Sequence, residues 1–596
     1  MKSKNELVQR RRSRKVIPFA LVVFLASISS VVCAQTPNPA PTPSPSPQNL
    51  MIPAIAPEYR AEQKPLPELG RVGVDMNRQT PLPLSEALSM ALANNKDIEV
   101  ARENVKIAEF DLEGTQGAFD PRFSALTFYE RVKTPISSFL SGGSNGLIIQ
   151  SDFTTNARLE GLSKFGGNYR LDFSSIRQTT NNQFTGFSPQ FPTALTFNYT
   201  QPMLRGLSID NSRRQIEIAR KNLSLSDAQF RQRAIEIITS VQRAYWDLVF
   251  ALRNLQIQRD AVTDARAQLE HNRRLVSEGQ LAPIDIVAAE AQVAGVEQNL
   301  FSALEEVSRT ENNLKNLIAS DRQAPIWTSS VIPADQVDLD APVVSLPEAL
   351  RTALENRPEL QQSNIARDIN EIDRRYFADQ TKPEVNLIGS YGVLGLAGSI
   401  NSNAINPFAS TTQLRDRVNI LSQIAGLPLL PTPPPQTFPS DLIGGYNQSL
   451  QNLFGNQFNN FRVGVQISLP LRNRTAEAAL GRSLVEEERI NTLRQQLEQS
   501  IQVEVRNSLQ AVRSAEARLR AAAAARNANE QQYQSEQRKL DAGESTVFLV
   551  LERQTALTTA RGNELRAQTD LNKAIAELQR ATGNALSVNS IVVRVR

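Results

Sequence analysis

The chain offers little that could carry out a reaction. Its 596 residues include one His, His271, and one Cys, Cys33. No disulfide framework and no Cys/His metal cluster can be built within one chain. His271 stands alone in a polar helical run, which fits a surface position better than a catalytic one. No Gly-rich phosphate loop and no nucleophile elbow is present. The residues with a definable task are conformational instead. Gly279 and Gly543 each interrupt a long helical pattern, and each is suited to the left-handed turn that folds a helix back on itself. The chain therefore reads as a non-enzyme with no cofactor and no bound metal, and its function must lie in the elements that these turns join.

Composition narrows the class. The sequence pI is about 9.1, but the basic excess sits at one end. Residues 1–34 carry Lys2, Lys4, Arg10, Arg11, Arg12, Arg14 and Lys15 against Glu6, a net +6; with +4 for the whole chain, the remainder carries −2. A nucleic-acid binder keeps a basic surface, so nucleic acid is not a partner. The same 34 residues read as a secretory signal: a basic stretch, the apolar run Val16 to Val32, and the small-residue site Val32-Cys33-Ala34 before Gln35. A membrane anchor is the competing reading, against which the run is short and holds Pro18 near its start. Residues 35–83 are rich in Pro, Thr and Ser and read as a Pro-rich linker. No run of 18 apolar residues follows, so a mature chain that enters a membrane must do so as a β-barrel.

The chain repeats itself. Leu84-x-Glu86-Ala87-Leu88-x-x-Ala91-Leu92-x-Asn94 recurs as Leu346-x-Glu348-Ala349-Leu350-x-x-Ala353-Leu354-x-Asn356. Pro121 and Pro383 keep the spacing, Pro202 and Pro470 each close a strand before a long helix, and Gly279 and Gly543 follow in the same order. Two tandem repeats result, 84–320 and 346–583, joined by a linker at 321–345 and followed by a tail at 584–596. Each reads as helix, strands, long helix, turn, helix. After each glycine a heptad seam runs, Ile286 to Leu317 and Val550 to Ala581, with apolar residues alternately three and four apart. The uninterrupted helices predicted at 212–277 and 473–541 are roughly 100 Å long at 1.5 Å per residue. In each half, two shorter helices placed end to end match the long one, which describes a rod of constant thickness.

Between the helices the period changes to two. Val463, Val465, Ile467 and Leu469 alternate with polar neighbours, as do Leu195, Phe197 and Tyr199, and Tyr169, Leu171 and Phe173. In the first repeat four segments look like strands, near 122–130, 153–162, 167–175 and 193–200. Segments 116–202 and 383–470 hold 21 of the 35 aromatic residues, an excess that fits interfacial girdles. The alternation suits a barrel with an apolar outside and a wet lumen; a soluble half-buried sheet gives the same pattern. One chain has too few strands for a closed barrel, so several chains must close one together.

These residues resemble the TolC-like outer-membrane factor family from about Leu84 to Gly583. The resemblance rests on the Leu84 motif and its copy at Leu346, on Thr200-Gln201-Pro202-Met203-Leu204-Arg205-Gly206, and on Leu540-x-x-Gly543. It implies an α+β membrane protein: an all-antiparallel long α-helical coiled-coil barrel plus a transmembrane β-barrel of twelve strands, shared by a homotrimer in the outer membrane with the helical tunnel in the periplasm. It implies a passive exit duct of a tripartite efflux or type I secretion system. The implied partners are a periplasmic adaptor (membrane fusion protein), an inner-membrane pump of RND, ABC or MFS type, and outer-membrane lipid. On the same resemblance Asp285 and Glu552 fall where acidic residues line the tunnel entrance, with Leu549 at a further position that is often acidic. Asp285 is placed to pair with Arg538 or Lys539 of the neighbouring tip. Leu275, Val276, Gly279, Leu540, Ala542 and Gly543 form the tips that dock the adaptor. Two departures stand out: the extra hairpin in the first repeat, and a Pro-rich insertion at 396–458, expected to cover the outer mouth or to be disordered. The alternative is a periplasmic adaptor or structural coiled-coil protein, which would have one hairpin set into small β-domains rather than two set between alternating strands. A porin would not need roughly 100 Å of helix.

Overall fold

The computed structural model describes residues 70–591, apart from 338, 406–408 and 432–436. The leader at 1–34, most of the linker at 35–83 and the prolines at 433–435 lie outside the described residues. The first strand, β1 (Asp75–Leu82), falls within the segment read as linker. The first repeat continues with α1 (Leu84–Asn94), α2 (Lys96–Gln116), β2 (Arg122–Pro135), β3 (Leu147–Leu162), β4 (Asn168–Thr180), β5 (Phe187–Gln190), β6 (Thr193–Pro202), α3 (Asn211–Ser277) and α4 (Ile284–Ile318). After β7 (Ser329–Pro333) come α5 (Leu346–Asn356), α6 (Pro358–Gln380), β8 (Glu384–Gly395), β9 (Gly398–Ile400), α7 (Ala409–Ile424), α8 (Tyr446–Phe454), β10 (Phe458–Ser468), α9 (Arg474–Asp541), α10 (Val547–Thr582) and the short α11 (Ala585–Val588). The insertion at 396–458 thus contains α7 and α8 rather than continuous loop. No helix among the described residues is long and apolar enough to cross a membrane.

The helices pack side by side in a layer four helices wide. α3 and α9 are the continuous members; α4 runs back along α3, and α10 along α9 while also touching α3. α2 continues the α4 position along α3, and α6 fills the corresponding place between α3 and α9. The seams read from sequence are buried where the helices meet: Ile238, Val241, Tyr245 and Leu248 on α3, Ala303, Val307 and Leu314 on α4, Val505 and Val512 on α9, Leu557, Leu571 and Leu578 on α10. Alanines at several of these positions allow close approach. Each predicted leading helix is in fact two, broken at Asn95 and at Arg357. Asn95 caps α2 through its side-chain oxygen, which accepts from the Asp97 backbone N–H at 2.9 Å, and Pro358 supplies the first turn of α6 without needing a donor.

At mid-length a belt fastens the layer. β1 pairs in parallel with β7, drawing together the two segments read as linkers. Beneath them Lys315 (0% exposed) and Glu311 (1%) form a 3.2 Å ion pair, Arg71 joins Glu311 at 2.7 Å, and Lys315 Nζ donates to the Ser329 carbonyl at 2.7 Å. Burial pulls the Lys315 ammonium below its ordinary pKa, and Glu311 partly opposes this.

The six long strands form one antiparallel meander in the order β10-β8-β6-β4-β3-β2, with β5 and β9 attached at the end away from the helices. Residues 122–202 contribute four of these strands and residues 384–468 two. The extra hairpin of the first repeat is therefore part of the same sheet.

Candidate functional site

Two parts of the fold are candidates for function: the pair of helix tips and the sheet at the opposite end. At the first tip Gly279 adopts φ 75°, and at the second Gly543 adopts φ 76°. The hydrogen bonds are the same at both. Gly279 N–H donates to Val276 O at 3.0 Å and Gln280 N–H to Leu275 O at 2.8 Å; Gly543 N–H donates to Leu540 O at 2.9 Å and Glu544 N–H to Lys539 O at 2.8 Å. Each is a Schellman turn, in which a left-handed residue satisfies the last free carbonyls of the helix. A Cβ on either glycine would meet nothing within 4 Å, so glycine is needed for its backbone alone.

The return helices start differently. Thr546 caps α10, accepting from Leu549 N–H at 3.4 Å, and Ser545 donates from its hydroxyl to Glu536 on α9, tying this turn back to the helix it leaves. That hydroxyl and Lys539 hold the Glu536 carboxyl below its ordinary pKa. At the first tip Asp285 performs the local task, accepting from Ala282 N–H at 3.2 Å. Within the chain it does not pair with Arg538 or Lys539: Arg538 donates to the Gln534 carbonyl and Lys539 to Glu536. Glu552 is exposed and lines a groove of about 940 Å³ between α4, α9 and α10, with Ala288, Gln292, Asn529 and Phe548. Leu275, Val276 and Leu540 are half-buried at the tips, and Ala542 is exposed. Three further residues at these tips, Ile284, Val287 and Phe548, are 69%, 57% and 72% exposed. The sequence does not single them out, because one apolar residue beside a heptad seam has no pattern of its own.

At the other end, register sorts the sheet into two faces. Antiparallel partners point the same way. One face therefore carries Phe123, Tyr129, Phe153, Leu159, Leu171, Phe173, Leu195, Phe197, Tyr391, Leu387, Phe461, Val463, Val465 and Ile467 across all six strands. The opposite face carries one level row of Arg462, Ser390, Asn198, Arg170, Glu160 and Arg122. The next row places Asp172 between Arg158 and Arg170, at 2.7 and 2.8 Å. The apolar face has no cover over most of its area: Phe461, Val463 and Phe123 are 78%, 71% and 69% exposed. Only at the rim does α8 lie on it, seating Ser449 and Leu453 against Thr193 and Gly395, where a Cβ on Gly395 would overlap the Ser449 carbonyl.

The corner between sheet and rod explains the Thr200–Gly206 motif. Pro202 ends β6, Gly206 turns at φ 83°, and its N–H donates at 2.5 Å to Asp379 at the end of α6. Arg213 donates to the Gly206 carbonyl at 2.6 Å, and Arg205 pairs with Glu384 at the start of β8. The corner thus ties β6 and the start of α3 to the end of α6 and the start of β8.

A two-faced antiparallel sheet continued by a coiled-coil rod with two hairpin tips differs from an adaptor's single hairpin set into small β-domains. The sequence profile of the outer membrane efflux protein family matches residues 87–320 and 441–584, and the chain belongs to that family. Members are outer-membrane transport ducts and not enzymes, with their helices on the periplasmic side. The fold agrees with solved channels despite low identity. The CmeC outer membrane channel of Campylobacter jejuni aligns with a TM-score of 0.55 at 14% identity, over 84% of this chain and 86% of that one. VceC of Vibrio cholerae aligns at 0.55 and 14%, over 84% and 96%. The MtrE channel of Neisseria gonorrhoeae, solved in an open state, aligns at 0.54 and 16%, over 84% and 89%. No curated relative matches the sequence.

Proposed function

We propose that three copies of this chain assemble into one continuous duct, a passive exit for cargo handed over by an inner-membrane pump through a periplasmic adaptor. The observation that carries the reading is the bare apolar face of the six-stranded sheet. Burying such a face in water-excluding surroundings is favourable by roughly 25 cal/mol per Å², and lipid is the medium that covers a face while leaving the opposite, charged one wet. Backbone groups on an open edge are not tolerated in lipid, so the edges must be met by further copies. The rod supports the same assembly. α9 keeps Leu484, Val485 and Val503 exposed, and α2 keeps Val100, Ile107 and Phe110 exposed; these are the two outer members of the layer, where a neighbouring copy would pack.

The tips are the docking end. Gly279 and Gly543 shape two matching turns, and Leu275, Val276, Leu540 and Ala542, together with Ile284, Val287 and Phe548, supply the apolar contacts for an adaptor hairpin. Asp285 and Glu552 provide negative charge at the entrance, and Leu549 leaves that ring incomplete. The pump is of RND, ABC or MFS type, since the chain meets the adaptor and not the motor. Segment 1–34 acts as the export signal, and the part of the linker that precedes Arg71 and β1 acts as a tether. The test is complementation: cells lacking this chain are expected to lose resistance to exported compounds and regain it with the wild type. Full complementation by a chain lacking both tip turns would reject the duct-and-docking reading.

A further inference from the structure

We infer that the barrel is closed by eighteen strands, six from each chain, and that β10 of one copy joins β2 of the next in a register that places Arg462 opposite Glu130. The inference rests on the trimeric duct proposed above and fixes the surface by which one copy recognises another.

The edges are visible in the sheet. All 14 residues of β2 are exposed, and ten of the 11 residues of β10. These two strands end the meander. An even number of strands per chain leaves them running in opposite directions, so the junction continues the antiparallel pattern without a fault. Calibre gives an independent reason. Twelve helical strands spaced 8–10 Å apart make a ring with a circumference of roughly 95–120 Å. Eighteen β-strands about 4.8 Å apart and tilted 35–45° make one of roughly 105–120 Å. Twelve β-strands would reach only about 70–80 Å on the same geometry. Six strands per chain therefore make a barrel about as wide as the ring of helices that it continues.

Register follows from the slant of the sheet. On the row through Arg462 and Arg122, β10 extends six residues towards the helices, to Ser468, while β2 begins at Arg122 itself. The helix-side ends thus climb six residues across five strand-to-strand steps, and the sixth step, across the seam, brings the total to about seven. The tilt gives the same range: six strands span about 29 Å, which at 35–45° displaces the seam by roughly six to nine residues. Only an even displacement keeps apolar residues on one face, which leaves six or eight. A shift of eight sets Val463 against Tyr129 on the apolar face and Arg462 against Glu130 on the polar one. A shift of six would set Arg462 against Phe128. Neither Arg462 nor Glu130 has an ion-pair partner among the described residues, whereas Arg122, Arg170 and Glu160 share a row and Arg158 holds Asp172. Opposite charges facing across strands stabilise their pairing, which favours the eight-residue shift.

The test is cysteine cross-linking in the outer membrane, using the full chain, whose single native Cys is at 33. The Tyr129→Cys/Val463→Cys double variant is expected to give covalent dimers and trimers on non-reducing gels after mild oxidation, with each single variant giving no trimer. The Thr127→Cys/Val463→Cys pair, which belongs to the six-residue shift, should cross-link at least tenfold less. Preferential cross-linking of the Thr127 pair, or none with either pair in material that native mass spectrometry shows to be trimeric, would overturn the seam while leaving the duct intact. Loss of the trimer mass in the wild type would instead overturn the duct. Charge exchange gives a second readout: Glu130→Arg and Arg462→Glu each lower the temperature at which the trimer dissociates, and the double exchange restores it.

Discussion

Substituting the tip glycines separates backbone geometry from surface chemistry. At φ near 75° an alanine pays the left-handed penalty of about 1–2 kcal/mol, and a β-branched residue at least as much. Because a Cβ at Gly279 or Gly543 would meet nothing within 4 Å, no clash adds to that figure. The strained turn can relax only by abandoning its two Schellman hydrogen bonds, which changes the surface offered to the adaptor. If docking requires the intact turn, Gly279→Ala or Gly543→Ala weakens it by at most the strain energy, about 5- to 30-fold, and Val at the same positions by at least as much. Asn, which tolerates this region, should lie between Gly and Val. Gly295, inside α4 with nothing within 4 Å of a Cβ and no positive φ, is the control: Gly295→Ala should leave docking unchanged and add up to about 1 kcal/mol of helix stability. The assay is co-purification of the adaptor with the tagged channel from membranes, alongside compound sensitivity of the cells. Wild-type co-purification and sensitivity in a chain carrying Val at both tips would refute the reasoning.

Three other outcomes follow from the same structure. At the belt, Glu311→Ala should cost about 3–5 kcal/mol, since it leaves Arg71 and Lys315 together without an anion, whereas Lys315→Ala keeps the Arg71–Glu311 pair and should cost clearly less; thermal dissociation of the trimer ranks them. Burial alone would raise the Glu504 carboxyl, but Arg357 and Arg580 hold it below its ordinary value. Its contribution to stability is therefore complete above about pH 4.3, the unfolded-state value, and is lost as pH falls through the lower folded value; Glu504→Gln should flatten that acid limb in a pH series of dissociation temperatures. At the entrance, Asp285→Asn with Glu552→Gln should lower cation over anion selectivity in planar bilayers without changing trimer mass, and an unchanged reversal potential would remove these two residues from the conduction path.

Much of this architecture is legible in the chain itself because it is periodic. The heptad seams predicted on α4 and α10 include the buried Val307, Leu314, Leu557 and Leu571, and the long helices begin and end within a residue of the predicted bounds. Four strand-like segments in the first repeat correspond to β2, β3, β4 and β6. Three features were not legible. The pairing of β1 with β7 joins segments some 250 residues apart, and neither strand has a pattern that distinguishes it from a Pro-rich connector. The breaks at Asn95 and Arg357 depend on capping rather than hydrophobic period. The helices α7 and α8 lie in an insertion without a counterpart in the other repeat. The turns at Gly279 and Gly543 are legible because each glycine interrupts a long seam, whereas Ile284, Val287 and Phe548 become visible only when their exposure is known.

The central claim is that a sheet with one bare apolar face and one charged face becomes a lipid-embedded wall when identical copies complete it. Imaging the detergent-extracted protein end-on by electron cryomicroscopy tests this most directly. The account predicts a three-fold ring of eighteen tilted strands around an open lumen, continuous with twelve helical strands. A water-soluble monomer with no closed barrel would contradict it.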